Sequence, residues 1–417
     1  RAAEAYLKLG ELDRGLGLLD QVLERRGQKR AKHRTASVFR AATVAARWLS
    51  PVPVRHRAHD DVLASAYRVI ASFLSTPYPI ESLEYVLRGV ALAENSGDRA
   101  AHAMGMAMLG AYVATGSLGR FGDRAIANAE RLCAQSSAVY PRMVAAGARG
   151  MLATLRGNWR GMRTAHTEAE TVCRRLGLER SWEASFIRTY WALGELYAGE
   201  APRALELLAG LTDASEDLWT RAMLGSCRGR VLVLAGDLPA ARAVADELAR
   251  TPAARQGMSS IYRQVFLGEL ALAERDWHRA RLVADDLARS ARAQWLSTMP
   301  AISAMVEVIS GTADLGLAAA GDRAAAERAL ATAKKLYRRG RFSFYAATAL
   351  RIWGQAESLM NDRTQSRVTL ARAAAIADER GGKVDRLAIR ALVGERIDPG
   401  PLAAAVEWST GGVWQEQ

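Results

Sequence analysis

The sequence predicts an all-α chain, an α-solenoid built from antiparallel helix pairs, and three observations carry the prediction. Apolar residues recur three and four positions apart nearly throughout, and almost no stretch shows the β-branched alternation of a strand. The pattern breaks at Leu9-Gly10-Glu11-Leu12, Gly116-Ser117-Leu118, Gly157-Asn158-Trp159, Gly199-Glu200, Gly236-Asp237-Leu238, Arg275-Asp276-Trp277, Gly321-Asp322 and Asn361-Asp362, and from Gly116 onward these breaks follow at intervals of 37 to 46 residues. Such corners fit a residue that accepts left-handed backbone at the end of one helix and an acid or Asn capping the next. Five positions beyond them stand Gly15, Met162, Ala204, Ala241, Ala280, Ala326 and Ser366, small in all but one case. Small residues there let two helices of a hairpin approach closely.

The elements follow in order. Residues 1–26 read as the end of a first repeat, with Tyr6, Leu7, Leu9, Gly10, Glu11 and Leu12 followed by Gly15, Leu19 and Val22, so the chain is expected to open inside a repeat. Residues 27–97 are less regular: Pro51, Pro53, Pro77 and Pro79 bracket helices at 31–49 and 61–75, with a Pro-rich loop over 50–60. Residues 98–380 form the regular array, in which the second helix of the Gly116 repeat starts late, after Phe121-Gly122-Asp123. Residues 381–417 supply a C-terminal helix and tail. Trp159 and Trp277, each directly after a corner, are expected to pack one hairpin on the next.

At 417 residues, with 50% hydrophobic and 24% charged side chains, the chain has the composition of a folded protein, and a repeat array lets one core extend without dividing into separate domains. Charges or glycines interrupt each apolar stretch before about 18 residues, so membrane insertion is not expected. The net charge of +13 invites acidic partners, nucleic acid among them. Only six of the 57 basic residues are Lys, however, and the Arg residues are spread over nearly every helix, as a solvated surface or a compositional bias would leave them. The densest runs, Arg25 to Arg34 and Lys334 to Arg341, lack interleaved aromatics for stacking bases. Cys133, Cys173 and Cys227 form neither a disulfide framework nor a zinc motif, which fits a reducing, cytoplasmic location.

The first-helix pattern Tyr190, Leu193, Gly194 and Tyr197, and the corner Leu232, Gly236, Asp237, Leu238 and Ala241, resemble tetratricopeptide-like repeats, with a unit of about 40 residues rather than 34. A narrower resemblance rests on Ala2-Ala3-Glu4-Ala5-Tyr6 with Leu18 to Leu23, and on Phe344-Tyr345-Ala346-Ala347 through Leu350, Arg351 and Gly354. It is to the helical C-terminal region of large bacterial serine/threonine protein kinases that also carry an ATPase module. Similar arrays follow the ATPase module of large transcriptional activators. Either resemblance implies a regulatory part of a larger signalling protein, the ATP-binding domains lying elsewhere in it.

Motifs for chemistry are absent from the sequence itself. No phosphate-binding loop can be assembled, since Lys383 after Gly381 and Gly382 is followed by Val384, and the kinase catalytic-loop and metal-site motifs are missing. Of the six histidines, His33, His56, His59, His102, His166 and His278, only His56 and His59 cluster with acids, Asp60 and Asp61, and the flanking Arg55 and Arg57 oppose a cation there. His166 stands where a repeat would place an apolar packing residue. Arg188, Trp191 and Glu195 form one stripe at helical spacing, and Arg228 and Gln264 hold the corresponding positions before the next corners. These five are the candidate concave-face site for a peptide, with core packing the alternative for Trp191. The expected function is a non-catalytic scaffold, without cofactor or metal, that binds a protein or peptide segment or upstream domains of the same polypeptide, or relays a signal. A basic nucleic-acid-binding array is the alternative.

Overall fold

The computed structural model describes residues 2–412 apart from 32, 50–59, 76, 115–118, 180, 210 and 212–217. The described residues form helices joined by short corners, with no strand among them. An opening hairpin, α1 (Ala2–Lys8) and α2 (Leu12–Arg25), is followed by α3 (Arg34–Leu49), α4 (Asp61–Leu74) and α5 (Pro79–Ser96), in which both α3 and α4 pack on α5. Successive hairpins are α6 (Arg99–Ala114) with α7 (Gly119–Ala134), α8 (Val139–Leu155) with α9 (Trp159–Arg175), and α10 (Trp182–Ala198) with α11 (Ala201–Leu208). Then come α12 (Leu218–Leu234) with α13 (Leu238–Arg250), α14 (Gly257–Ala273) with α15 (Trp277–Ala293), α16 (Pro300–Ala319) with α17 (Arg323–Gly340), and α18 (Tyr345–Leu359) with α19 (Arg363–Arg380). The chain closes with α20 (Lys383–Leu392) and α21 (Ala403–Ser409). The fold is therefore an all-α solenoid of antiparallel helix pairs.

The corners fold as their residues dictate. Gly157, Gly199, Gly236 and Gly321 take positive φ, and in the two repeats without glycine Arg275 and Asn361 adopt φ 57° and 66°. Asn accepts that region readily, whereas Arg275 is a less usual occupant of it. The next residue caps the following helix: Asn158, Asp237, Asp276, Asp322 and Asp362 each accept a backbone N–H three residues on, at 2.9–3.2 Å. Glu11 and Glu200 make no such bond, because the extra methylene carries the carboxylate past the N–H groups. The five-residue register is also seen: Met162, Ala204, Ala241 and Ala280 are wholly buried, and Ala326 and Ser366 nearly so. Gly116 itself and the 50–59 loop, with His56 and His59, lie outside the described residues, but the second helix of that repeat does not start late as expected: α7 begins at Gly119, ahead of Phe121-Gly122-Asp123.

α16 is long and apolar enough to cross a membrane, but 78% of it is buried inside the protein. Its acids are paired with neighbouring helices. Glu307 meets Arg339 and Lys335 of α17 at 2.8 and 3.0 Å, and Asp314 meets Arg281 of α15 and Arg328 of α17 at 3.0 Å each. Pairs of this kind tie many successive helices together. Arg149 of α8 bridges Glu130 of α7 and Glu168 of α9, Arg163 of α9 grips Glu195 of α10, and Arg230 of α12 grips Glu269 of α14.

The array then returns on itself. The backbone N–H of Phe344 donates to the carbonyl of Leu155 at 3.3 Å, and the Trp159 indole donates to the carbonyl of Gly381 at 3.1 Å. From Gly381 the C-terminal segment runs along the corners of the middle hairpins. Gly382 lies against the carbonyl of Tyr197, Lys383 pairs with Glu200 at 2.8 Å, Ala404 faces Gly236, and Glu407 pairs with Arg275. Trp277 and Trp159 both pack between hairpins as expected: Trp277 fills the notch left by Gly316 of α16, and Trp159 joins a cluster with Ala153 and Met162 of its own hairpin and Trp191 and Leu207 of the next, while also meeting Phe344 and this C-terminal segment.

Candidate functional site

The first helices of successive hairpins turn one face toward the inside of the array, and there they leave a narrow cavity of about 180 Å³. Its walls come from α4, α6, α8, α10, α12, α14 and α16, with Pro79 from the start of α5, His166 from α9 and Tyr345 from α18. The composition of the walls is unlike that of the chain. Eight of the eleven methionines of the sequence, Met104, Met108, Met143, Met151, Met223, Met258, Met299 and Met305, line it, as do six of the eleven tyrosines. Elsewhere the helices pack with Ala and Leu. Methionine is unbranched and polarisable and adapts to irregular partners, which suits a wall that meets something other than a fixed neighbouring helix.

At one end of the cavity an aromatic cluster stands beside its lining residues Tyr197 and Tyr345. Phe344, from the turn before α18, meets Tyr197 at 4.6 Å between ring centroids, Tyr345 at 4.1 Å and Trp159 at 5.7 Å. At the other end Arg68 is exposed, beside the half-buried Ser72 and Ser75. Most tyrosine hydroxyls of the wall already have partners: Tyr112 shares a 2.6 Å hydrogen bond with Ser82, Tyr197 accepts from Arg230, and Tyr190 bonds Tyr262. Burial pushes the Tyr190 hydroxyl up to about 12, so it remains a neutral hydrogen-bonding group.

His166 is the exception among these polar groups. It is wholly buried, and neither Nδ1 nor Nε2 has a hydrogen-bond partner. Loss of water pulls its pKa down to about 3, leaving a neutral imidazole. The ring stacks on Trp191, 5.9 Å between centroids and 10° between planes, and its Nε2 edge lies over Gly150, where a Cβ would come within 2.6 Å. The same glycine notch recurs in two other hairpins, Gly110 receiving Ile126 and Gly354 receiving Leu370. The architecture thus takes an aliphatic side chain where this repeat carries an imidazole.

The five residues singled out from the sequence do not converge. Trp191 is buried against His166 and donates its indole N–H to Glu195 at 3.1 Å; Glu195 is nearly inaccessible and also receives Arg163 at 2.7–3.1 Å. Arg188 pairs with Glu170 of α9 at 2.5 Å. Gln264 spans Ser260 and Ser290, both at 3.1 Å. Arg228 is exposed. The stripe therefore faces the preceding hairpin, whereas Tyr190, Leu193 and Tyr197, from another face of α10, line the cavity. The methionines were the signal that sequence reasoning passed over, because a Met on an apolar face reads as core.

No family model matches this chain, and no curated protein or solved structure matches it.

Proposed function

We propose that the chain is a non-catalytic helical-repeat scaffold that senses a small apolar molecule held inside it and passes that signal to a protein joined to it or bound outside. The observation that carries this reading is the concentration of eight methionines and six tyrosines on one internal cavity. Apolar pockets with a few placed polar groups are the usual form of small-molecule sites. Seven or more helices wall the cavity, so its occupancy would bear on how successive hairpins pack. The resemblance to kinase and activator regulatory regions gives such a signal a destination in the same polypeptide. The arginines joined to acids between helices favour this reading over a nucleic-acid array, since they spend much of the positive charge within the fold.

Thermal unfolding of the chain with small apolar molecules, nucleotides, sugars and peptides is the test. Only the apolar molecules are expected to raise the melting temperature, and the chain alone is expected to show no ATP turnover. Stabilisation by peptides or nucleotides alone would overturn the reading.

A further inference from the structure

We infer that the cavity takes an uncharged aromatic molecule bearing one hydroxyl, and that His166 is the group that reads the hydroxyl. The inference rests on the cavity being a binding site and concerns what it selects. Three features lead to it. An apolar cavity of about 150 Å³ is known to admit a single benzene ring, so one of about 180 Å³ suits one or two fused rings. The charged member of the wall, Arg68, is exposed at the far end, and nothing deeper would offset the cost of burying an ionised ligand. Most tyrosine hydroxyls are already engaged, which leaves the neutral imidazole with one N–H and one lone pair unused. A hydroxyl both donates and accepts, and so complements either tautomer.

The position of His166 adds weight to this. In the equivalent notches Ile126 and Leu370 pack without leaving a polar atom unpaired, so imidazole is the costlier choice for packing alone. A ligand hydroxyl would repay that cost.

Isothermal titration of the full chain with naphthalene, 1-naphthol and naphthalene-1-sulfonate separates the possibilities. We expect naphthol to bind roughly threefold to tenfold more tightly than naphthalene, as one hydrogen bond to an otherwise unpaired buried group should give, and the sulfonate not to bind. In His166→Phe, which keeps the ring stack on Trp191, naphthalene affinity should stay within about twofold of the wild type and the naphthol preference should vanish. Naphthalene and naphthol binding equally to the wild type, or a preference that survives in the variant, would overturn the role of His166 while leaving the cavity a binding site. Failure of both neutral probes would remove the site itself. As a check that needs no variant, the ¹⁵N resonances of the imidazole should move with naphthol and not with naphthalene; unmoved resonances would also count against the assignment.

Discussion

At His166 the sign of a pH effect follows from burial alone. The unfolded chain protonates this imidazole near its ordinary 6.5, whereas the folded one resists until about 3. Between those values the unfolded state binds the extra proton, so the folded state loses stability as the pH falls, by roughly 1.4 kcal/mol per unit once well below 6.5. His166→Phe cannot take up that proton. Urea unfolding of the two proteins from pH 7 to 4 should show the variant gaining on the wild type as the pH drops, with other titrating groups cancelling in the difference. A gap that stays constant with pH would mean that water reaches the imidazole in the folded protein.

Individual helices depend on their corners, and the corners differ in what their acids do. Asp237→Ala and Asp362→Ala should each lower stability by about 0.5–2 kcal/mol, since both carboxylates hold a first-turn N–H. Glu200 occupies the same place without capping, and its partners are the exposed ends of Arg163 and Lys383. Glu200→Ala should therefore cost less than either Asp change, and guanidinium melts that reverse this order would refute the capping assignment. Deeper in the hairpin, Ala241 is wholly buried where α12 and α13 meet, so Ala241→Trp overpacks the contact and should cost at least about 1–3 kcal/mol. An unchanged melting temperature there would show that the hairpin tolerates a large side chain at its closest approach.

Over the whole molecule the C-terminal segment is anchored on α18 of the preceding hairpin and from there reaches the corners of hairpins distant in sequence. Arg351, almost inaccessible, meets Asp385 of α20 at 2.9 Å and the carbonyl of Ser409, and Gln355 reaches the carbonyl of Thr410 at 2.9 Å. Removing Asp385 leaves a buried guanidinium short of its counter-ion, so Asp385→Ala should cost about 3–5 kcal/mol. Glu395→Ala, which breaks the half-exposed pair with Arg390, should change stability by less than about 1 kcal/mol. Equal melting temperatures for the two variants would show that the C-terminal segment contributes little to holding the array closed.

The helix type, the corners and the register of small residues were legible in the sequence because each depends on neighbours within a few positions: an αL residue, a cap three residues from its N–H, a small side chain at the hairpin contact. The candidate site was not. Helical spacing marks which face of α10 is buried, but Trp191 and Tyr190 are adjacent in sequence, and only the packing of α9 on one side and the open interior on the other sends the first into the wall of a hairpin and the second into the cavity. The methionines read as ordinary core for the same reason. That they face a common space depends on how far successive hairpins turn, and on Phe344 and the C-terminal segment meeting α8, α9 and α10 from the other end of the chain. Local spacing determines the helices and the side they bury; what they bury it against is decided by contacts made across the whole array.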